Sequence, residues 1–554
     1  MNRRGALRAW LPLWATLCTL LGAGPAVAAT DLAVTIAERL AGDADRGQIA
    51  GGEVIEERRF LAALYKATGY QPLWSGEAQA ERFLALIAAA GEDGLDPRDY
   101  HLAALERLLA DRSGTTTVRA DLDILLTESF ARFAYNLRFG KANPQDIDSD
   151  WNFSRALVTS DPAGWLAQAI RGDDVAAALD SLRPQTPVYG VLKAALADYR
   201  AIAARGDWPR LPAGPTLEPG MDAPAIAILR ERLGAEGLYA PRPGIAAKHY
   251  DTELERAVRL FQRRHGLLAD GLVGRRTRAA LNVGVAARIA QLRVNLERIR
   301  WVFRDLEDRF VAVNIAAFHA AYLEHGQIAW SARAVVGRPY RQTPIFKATM
   351  THIVFNPTWT VPPTILRQDV LPAMRRDPDY LQRKGLRVLD RDGHPVNPAS
   401  IDWQTVRAAG FPYLLRQQPG PDNALGRVKF MFPNPHLVYL HDTPGRDLFE
   451  RAERTFSSGC IRIDRPLELA ALLLAANPGW DAASMAAALA DGRPRRVDLA
   501  RPVTVMLLYL TAFADGDGTL QFRRDVYDRD GAVLRALDGP FRFVAPRGYP
   551  AGRH

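Results

Sequence analysis

Cysteine is nearly absent from this chain. Of 554 residues only Cys18 and Cys460 are cysteine, and Cys18 lies within an apolar N-terminal leader. Once the leader is removed, no intramolecular disulfide and no cysteine-rich zinc site can form. A lone cysteine of this kind is either an inert buried residue or a reactive thiol. The ten histidines include no His-x-x-x-His pair and no Asp/His cluster at ligand spacing, which argues against a metal, and no motif calls for a cofactor. No lysine/arginine cluster with interleaved aromatics occurs, so nucleic acid is a poor partner. The apolar runs at 9–21 and 469–476 are too short to span a membrane comfortably.

The hydrophobic content of 48% and charged content of 24% are those of a globular protein, and the length suggests roughly three or four domains. The net charge of +9 reflects either a solvated arginine-rich surface or attraction to an acidic polymer. Arg3, Arg4 and Arg8, the apolar run after them and Ala26-Val-Ala28 have the form of a cleavable signal peptide, residues 1–28. The alternative is an uncleaved anchor. Cys18 follows Leu17, not a small residue, so it does not resemble a lipoprotein acceptor.

The fold class expected is multidomain α+β. Residues 29–214 read as a helical scaffold, with apolar residues at three-to-four spacing in 34–40, 60–68, 81–90, 122–137 and 188–204. Asp96-Pro97 and Asn143-Pro144 mark turns, and 206–220 reads as a Pro/Gly-rich linker. Residues 218–283 read as three short helices, with Thr277 capping or bracing the last. A helix at 287–304 leads into a domain, 287–535, whose apolar period changes to two. Within it, 366–422 breaks the pattern and reads as an insertion, either a lid or an inert excursion. Asp464 is placed to cap a helix over 467–476, 503–513 and 520–526 read as a closing hairpin, and 536–554 is a C-terminal tail.

The chemistry concentrates in Tyr439-Leu-His441-Asp-Thr443-Pro and Thr455-Phe-Ser-Ser458-Gly459-Cys460-Ile-Arg462. His441 ends a strand and Cys460 follows a small flexible turn, both usual places for catalytic side chains. His352 and His436 lack such a setting, and His436, after Asn434-Pro435, is expected to face solvent. With His441 taking the thiol proton, the thiolate of Cys460 attacks an amide carbonyl and a thioester forms, resolved by an amine or water. The N–H groups of Cys460 and of Gly459 or Ser458 would make an oxyanion hole.

Two resemblances add to this reading. Ala257, Val258, Phe261, Gln262, Asp270, Gly271, Gly274 and Thr277 make 218–283 similar to the three-helix peptidoglycan-binding domain, which either binds glycan or braces a neighbour. The run Phe432 to Pro444 with Arg454 to Arg462 resembles the catalytic motif of L,D-transpeptidases (the YkuD domain), closest to the large YcbB-like branch, as do Asn356 to Pro363 and Gly337-Arg-Pro339. Most of that family has Ser-His-Gly-Cys where this chain has Ser457-Ser458-Gly459-Cys460, which leaves His441 as the sole base.

The resemblance implies a periplasmic, wall-associated enzyme, a monomer acting on peptidoglycan stem peptides beside other wall-synthesis enzymes. Cys460 would attack the L-centre carbonyl of diaminopimelate in a tetrapeptide stem and expel D-alanine, and another stem's diaminopimelate amine would complete a 3→3 cross-link. It also implies acylation by carbapenem-type β-lactams. Arg462 would hold a stem carboxylate or brace the turn, Tyr439 and Trp359 would line the cleft or sit in the core, and Thr443 would contact substrate. The alternatives are an L,D-carboxypeptidase, attachment or cleavage of a lipoprotein lysine, a non-catalytic wall-binding protein, and a cysteine peptidase acting on proteins.

Overall fold

The computed structural model describes residues 31–41, 49–56, 58–157, 159–172, 174–241, 244 and 246–547. The expected signal peptide, and Cys18 with it, lies outside the described residues. No described helix is long and apolar enough to cross a membrane.

The scaffold is built around the helix Thr116–Phe139, which is buried along most of its length. Thr115 opens it, its hydroxyl accepting from the Val118 N–H, and Gly140 ends it at φ +80°. A side chain at Gly140 would collide with Glu297 and Trp301, so the glycine lets a second helix, Val285–Val302, pack close. That second helix is the hub of the molecule. It contacts the helices Thr116–Phe139, Pro187–Ala204 and Asp530–Asp538 and the strand Ala512–Ala514. The helix Pro187–Ala204 packs on the hub and also meets the turn Ala89–Asp93 of the scaffold, where Tyr189 donates to Asp93 at 2.8 Å.

The 206–220 stretch is not a free linker. Trp208, Leu211 and Leu217 are buried, and the Trp208 indole donates to the Val283 carbonyl at 3.0 Å. The small module has the three expected helices, Pro224–Ala235, Thr252–Arg264 and Arg275–Leu281. Gln262 ties its turn together. Its amide donates to Asp270 at 2.7 Å and to Thr277 at 3.2 Å, and its carbonyl accepts the Gly271 N–H at 2.9 Å. Thr277 thus braces rather than caps.

The last domain is a closed sheet. Its strands are β1 (Arg309–Asn314), β2 (His319–Glu324), β3 (Gln327–Gly337), β4 (Phe346–Phe355), β5 (Val428–Met431), β6 (Leu440–His441), β7 (Thr455–Ser457), β8 (Ile461–Ile463) and β9 (Arg495–Leu508). The order is β7-β3-β8-β6-β5-β4-β9-β1-β2, and β2 also pairs with β3, which joins the ends. Phe310, Val336, Ile353, Phe430, Leu440, Ile461 and Val505 fill its core. The closing hairpin is shorter than expected, Ala512–Ala514 against Leu520–Phe522.

The insertion is a subdomain with its own core, including Val361, Val370, Leu386 and Leu415. Its three-stranded sheet begins at Trp359–Thr360, earlier than residue 366. The tail boundary also shifts: the helix Asp530–Asp538 crosses 536, and the residues after it return to the scaffold. Phe541 and Phe543 pack on the Tyr135 ring, whose hydroxyl donates to the Val544 carbonyl at 2.9 Å.

Candidate active site

Strand pairing assembles the site. β6 and β8 run parallel with Leu440 opposite Ile461 and His441 opposite Arg462. Alternation sends Leu440 and Ile461 into the core and puts Tyr439, His441, Cys460 and Arg462 on the other face. β5 adds Lys429 opposite His441. These five residues line a cleft of about 1160 Å³ between the closed sheet and the inserted subdomain. Trp359 and Leu415 line it from the subdomain, and Tyr340 and Leu437 stand exposed at its edge. No aspartate or glutamate is among the lining residues, whereas Arg341, Lys429 and Arg462 are.

His441 is buried and its environment keeps it neutral. Burial, with the Arg462 and Lys429 charges, pushes its pKa down to about 3. The Asp442 carbonyl oxygen lies 2.5 Å from Nδ1 and can only accept, so the proton sits on Nδ1 and Nε2 is free as a base. Asp442 is itself fixed: its carboxylate accepts the Arg427 N–H and the Arg446 guanidinium, both at 2.9 Å. Gly426, at φ +60°, is where a side chain would strike that carboxylate.

Cys460 is half-buried. Burial pushes its thiol pKa up, while the Tyr439 amide and hydroxyl, Lys429 and Arg462 pull it back. The thiol is directed at the Leu437 carbonyl oxygen, 4.0 Å away, and no hydrogen bond joins it to His441. The Lys429 ammonium lies 3.9 Å over the Tyr439 ring. Among the described residues Arg462 has no carboxylate partner, and its Nε is buried without an acceptor.

The loop that carries the thiol is held from behind. Gly459 sits at φ +116°, a conformation L side chains rarely adopt. Its carbonyl accepts from the Thr343 hydroxyl at 2.8 Å, which in turn accepts the Gly337 N–H at 2.9 Å. Gly337 is obligatory for space, since a side chain there would overlap the backbone of Arg341 to Thr343. The Tyr527 hydroxyl donates to the Gly337 carbonyl at 2.5 Å. Arg341 joins this loop to the insertion, donating to the Ser458 hydroxyl at 2.8 Å and to Asp369 at 2.5 and 3.0 Å.

Several expectations need correction. An Asp/His cluster at ligand spacing does occur: the ligand atoms of Asp390, Asp392 and His394 in the insertion lie within 4.8 Å of one another. The Gly459 N–H is already donated to the Ser457 hydroxyl at 3.1 Å, so it is not free for an oxyanion hole; the Cys460 N–H has no such partner. Thr443 is buried behind the site, its hydroxyl accepting the Gly445 N–H at 3.2 Å, and it does not line the cleft. His436 does not face solvent: it packs at a tilt against Phe346, 4.9 Å between centroids, and lines the cleft. Asp464 caps no helix. It pairs with Arg333 at 2.8 Å, and Pro466–Leu474 starts from Arg465 at φ +50°. Lys429, Arg341 and Thr343 were missed. Lys429 had a local signal, a lone cation between Val428 and Phe430 in an alternating run.

Family models agree with this layout. Residues 308–498 match the L,D-transpeptidase catalytic domain. The carboxy-terminal domain is thus similar to that catalytic domain. Residues 59–196 match a scaffold domain and residues 222–281 a family described as "Putative peptidoglycan binding domain". A Haemophilus influenzae protein named "Putative L,D-transpeptidase" is 35% identical over 243 residues, 44% of this chain and 48% of its own length, so the match spans about half of that relative. Among solved structures, an L,D-transpeptidase fragment of Xylanimonas cellulosilytica is 14% identical, covering 53% of this chain and 98% of that one, at TM-score 0.17. One of Stackebrandtia nassauensis is 13% identical, covering 54% and 96%, at TM-score 0.19. The matched domain contributes Cys460, His441, Tyr439, Lys429 and Arg462 to the cleft, and the insertion supplies its other wall.

Proposed function

We propose that this chain is a peptidoglycan L,D-transpeptidase of the periplasm, with Cys460 as nucleophile and His441 as general acid/base. The observation that carries the reading is one cleft that holds a thiol, a neutral imidazole with a free Nε2 and three cations with no acidic lining. Stem peptides are polyanionic, so Lys429 and Arg462 favour their carboxylates, and an unpaired cation beside sulfur favours thiolate.

Rotation of the thiol away from Leu437 brings its proton to His441 Nε2. The sulfur attacks the L-centre carbonyl of diaminopimelate in a tetrapeptide stem, and the Cys460 N–H steadies the oxyanion. His441 returns the proton to the departing D-alanine amine. The amine of a second stem's diaminopimelate then attacks the thioester, loses its proton to His441 and releases Cys460, giving a 3→3 cross-link.

Incubation of the chain with tetrapeptide muropeptides, read by mass spectrometry, tests this. Dimers formed with loss of D-alanine are expected, and none with Cys460→Ala. Tripeptides alone would move the reading to a carboxypeptidase, and unchanged turnover in Cys460→Ala would refute the thioester.

A further inference from the structure

A second cavity, of about 300 Å³, lies where the small module, the hub helix and the closed sheet meet. Its charge is one-sided. Arg276, Arg288, Arg523 and Arg524 line it against a single carboxylate, Glu453, which pairs with Arg524 at 3.2 Å. Arg288 is 6% exposed, yet among the described residues no carboxylate lies within salt-bridge distance of it. It donates to the Gln291 side chain at 2.8 Å and the Ala280 carbonyl at 3.2 Å, and its Nε has no acceptor. Arg523 spends its hydrogen bonds on Gln521 and on the carbonyls of Arg264 and Phe522. It reaches the cavity only because residue 266 is glycine, where a Cβ would lie 2.7 Å from the Arg523 side chain.

A buried cation left without a carboxylate is costly unless an anion arrives. The surroundings register that cost: burial pushes Arg288 and Arg523 each down to about 10. His265 supplies the complementary need. It is 7% exposed, donates Nδ1–H to the Phe261 carbonyl at 2.8 Å, and so presents Nε2 as an acceptor with no partner. Phe522 and Val526 give the cavity an apolar wall. A ligand that satisfies all of these carries an anion, a nearby N–H and a small apolar group.

We infer that this cavity is a second, non-catalytic site for the carboxyl end of a short peptide, with the carboxylate on Arg288 and Arg276 and the last amide N–H on His265 Nε2. Reading that peptide as a peptidoglycan stem rests on the proposed function; the binding does not. The site would then anchor one stem at the junction of the module and the catalytic domain.

Calorimetric titration of the full chain with N-acetyl-alanyl-alanine tests this, beside its C-terminal amide and inorganic phosphate. The expected result is binding of the acid at a site that the amide fills at least tenfold more weakly. Arg276→Glu, at the exposed rim, and Arg288→Met should each weaken it about tenfold. Neither should change the rate at which iodoacetamide alkylates Cys460, which reports on the catalytic cleft. Equal binding of acid and amide, acid binding unchanged by Arg276→Glu, or phosphate binding as tightly as the acid would overturn the assignment. Loss of turnover with this binding intact would refute only the transpeptidase reading.

Discussion

Two buried clusters of ionisable groups differ in one respect. Around Asp93, charges are matched. Burial opposes its carboxylate, but Arg183, Arg300 and Lys193 outweigh that and hold its pKa below the usual carboxylate range. Arg183 lies 2.9 Å away, Tyr189 donates to it at 2.8 Å, and Glu297 pairs with Arg300 at 2.7 Å. In the cleft, Lys429 and Arg462 stand beside Cys460 and His441 with no carboxylate. Both clusters shift pKa values, so a shift alone does not mark function. What separates them is whether the charges have partners: the first cluster holds the scaffold to the hub helix, and the second waits for a ligand.

The comparison can be broken by exchange. Asp93→Asn removes the shared acid of the matched cluster, with an expected loss of about 3–5 kcal/mol in denaturant unfolding and unchanged turnover per folded molecule. Gly459→Ala meets no clash but forces φ +116° on a side chain, so about 1–3 kcal/mol of strain falls on the thiol loop. Turnover should drop at least tenfold while overall stability changes less than for Asp93→Asn. Lys429→Met has the opposite signature to Asp93→Asn. Stability is expected to hold or rise, and the thiol pKa to climb further as the Lys429 charge that lowers it is lost. Iodoacetamide alkylation near neutral pH then slows about tenfold, and an unchanged alkylation profile would assign the stabilising field elsewhere.

A separate effect is graded with pH. His441 titrates near 3 when folded and near 6.5 in an unfolded chain, so between those values the unfolded chain holds a proton that the folded one lacks. Stability is therefore lost as pH falls through that window, by up to about 1.4 kcal/mol per pH unit. His441→Gln should flatten urea-midpoint curves measured between pH 6.5 and 4.

The period-two pattern made the β-rich domain legible but not its closure, and the strand-to-loop positions of His441 and Cys460 made the pair legible. Contacts that depend on distant chain were not. Asp464 stands at a cap position, but Arg333 from β3 claims it. Gly459 reads as an oxyanion donor only until the neighbouring Ser457 hydroxyl is seen to take its N–H. Nothing local in Arg341 indicates that it will join Asp369 to Ser458, since that link exists only once the insertion has folded back. Lys429 was readable in principle, because the alternation that buries Phe430 turns its neighbour the other way.

The return of the carboxy-terminal residues to Tyr135 bears on the order of synthesis. Domains generally fold as units, the N-terminal one first as the chain emerges. Here part of the apolar wall beside the scaffold is Phe541 and Phe543, residues made only after the whole closed sheet. The scaffold can assemble its own helices early, but the ring of Tyr135 stays without these two partners until the closed sheet has been made. A chain truncated after the helix Asp530–Asp538 would keep every residue of the cleft and still leave its earliest-made domain unsealed.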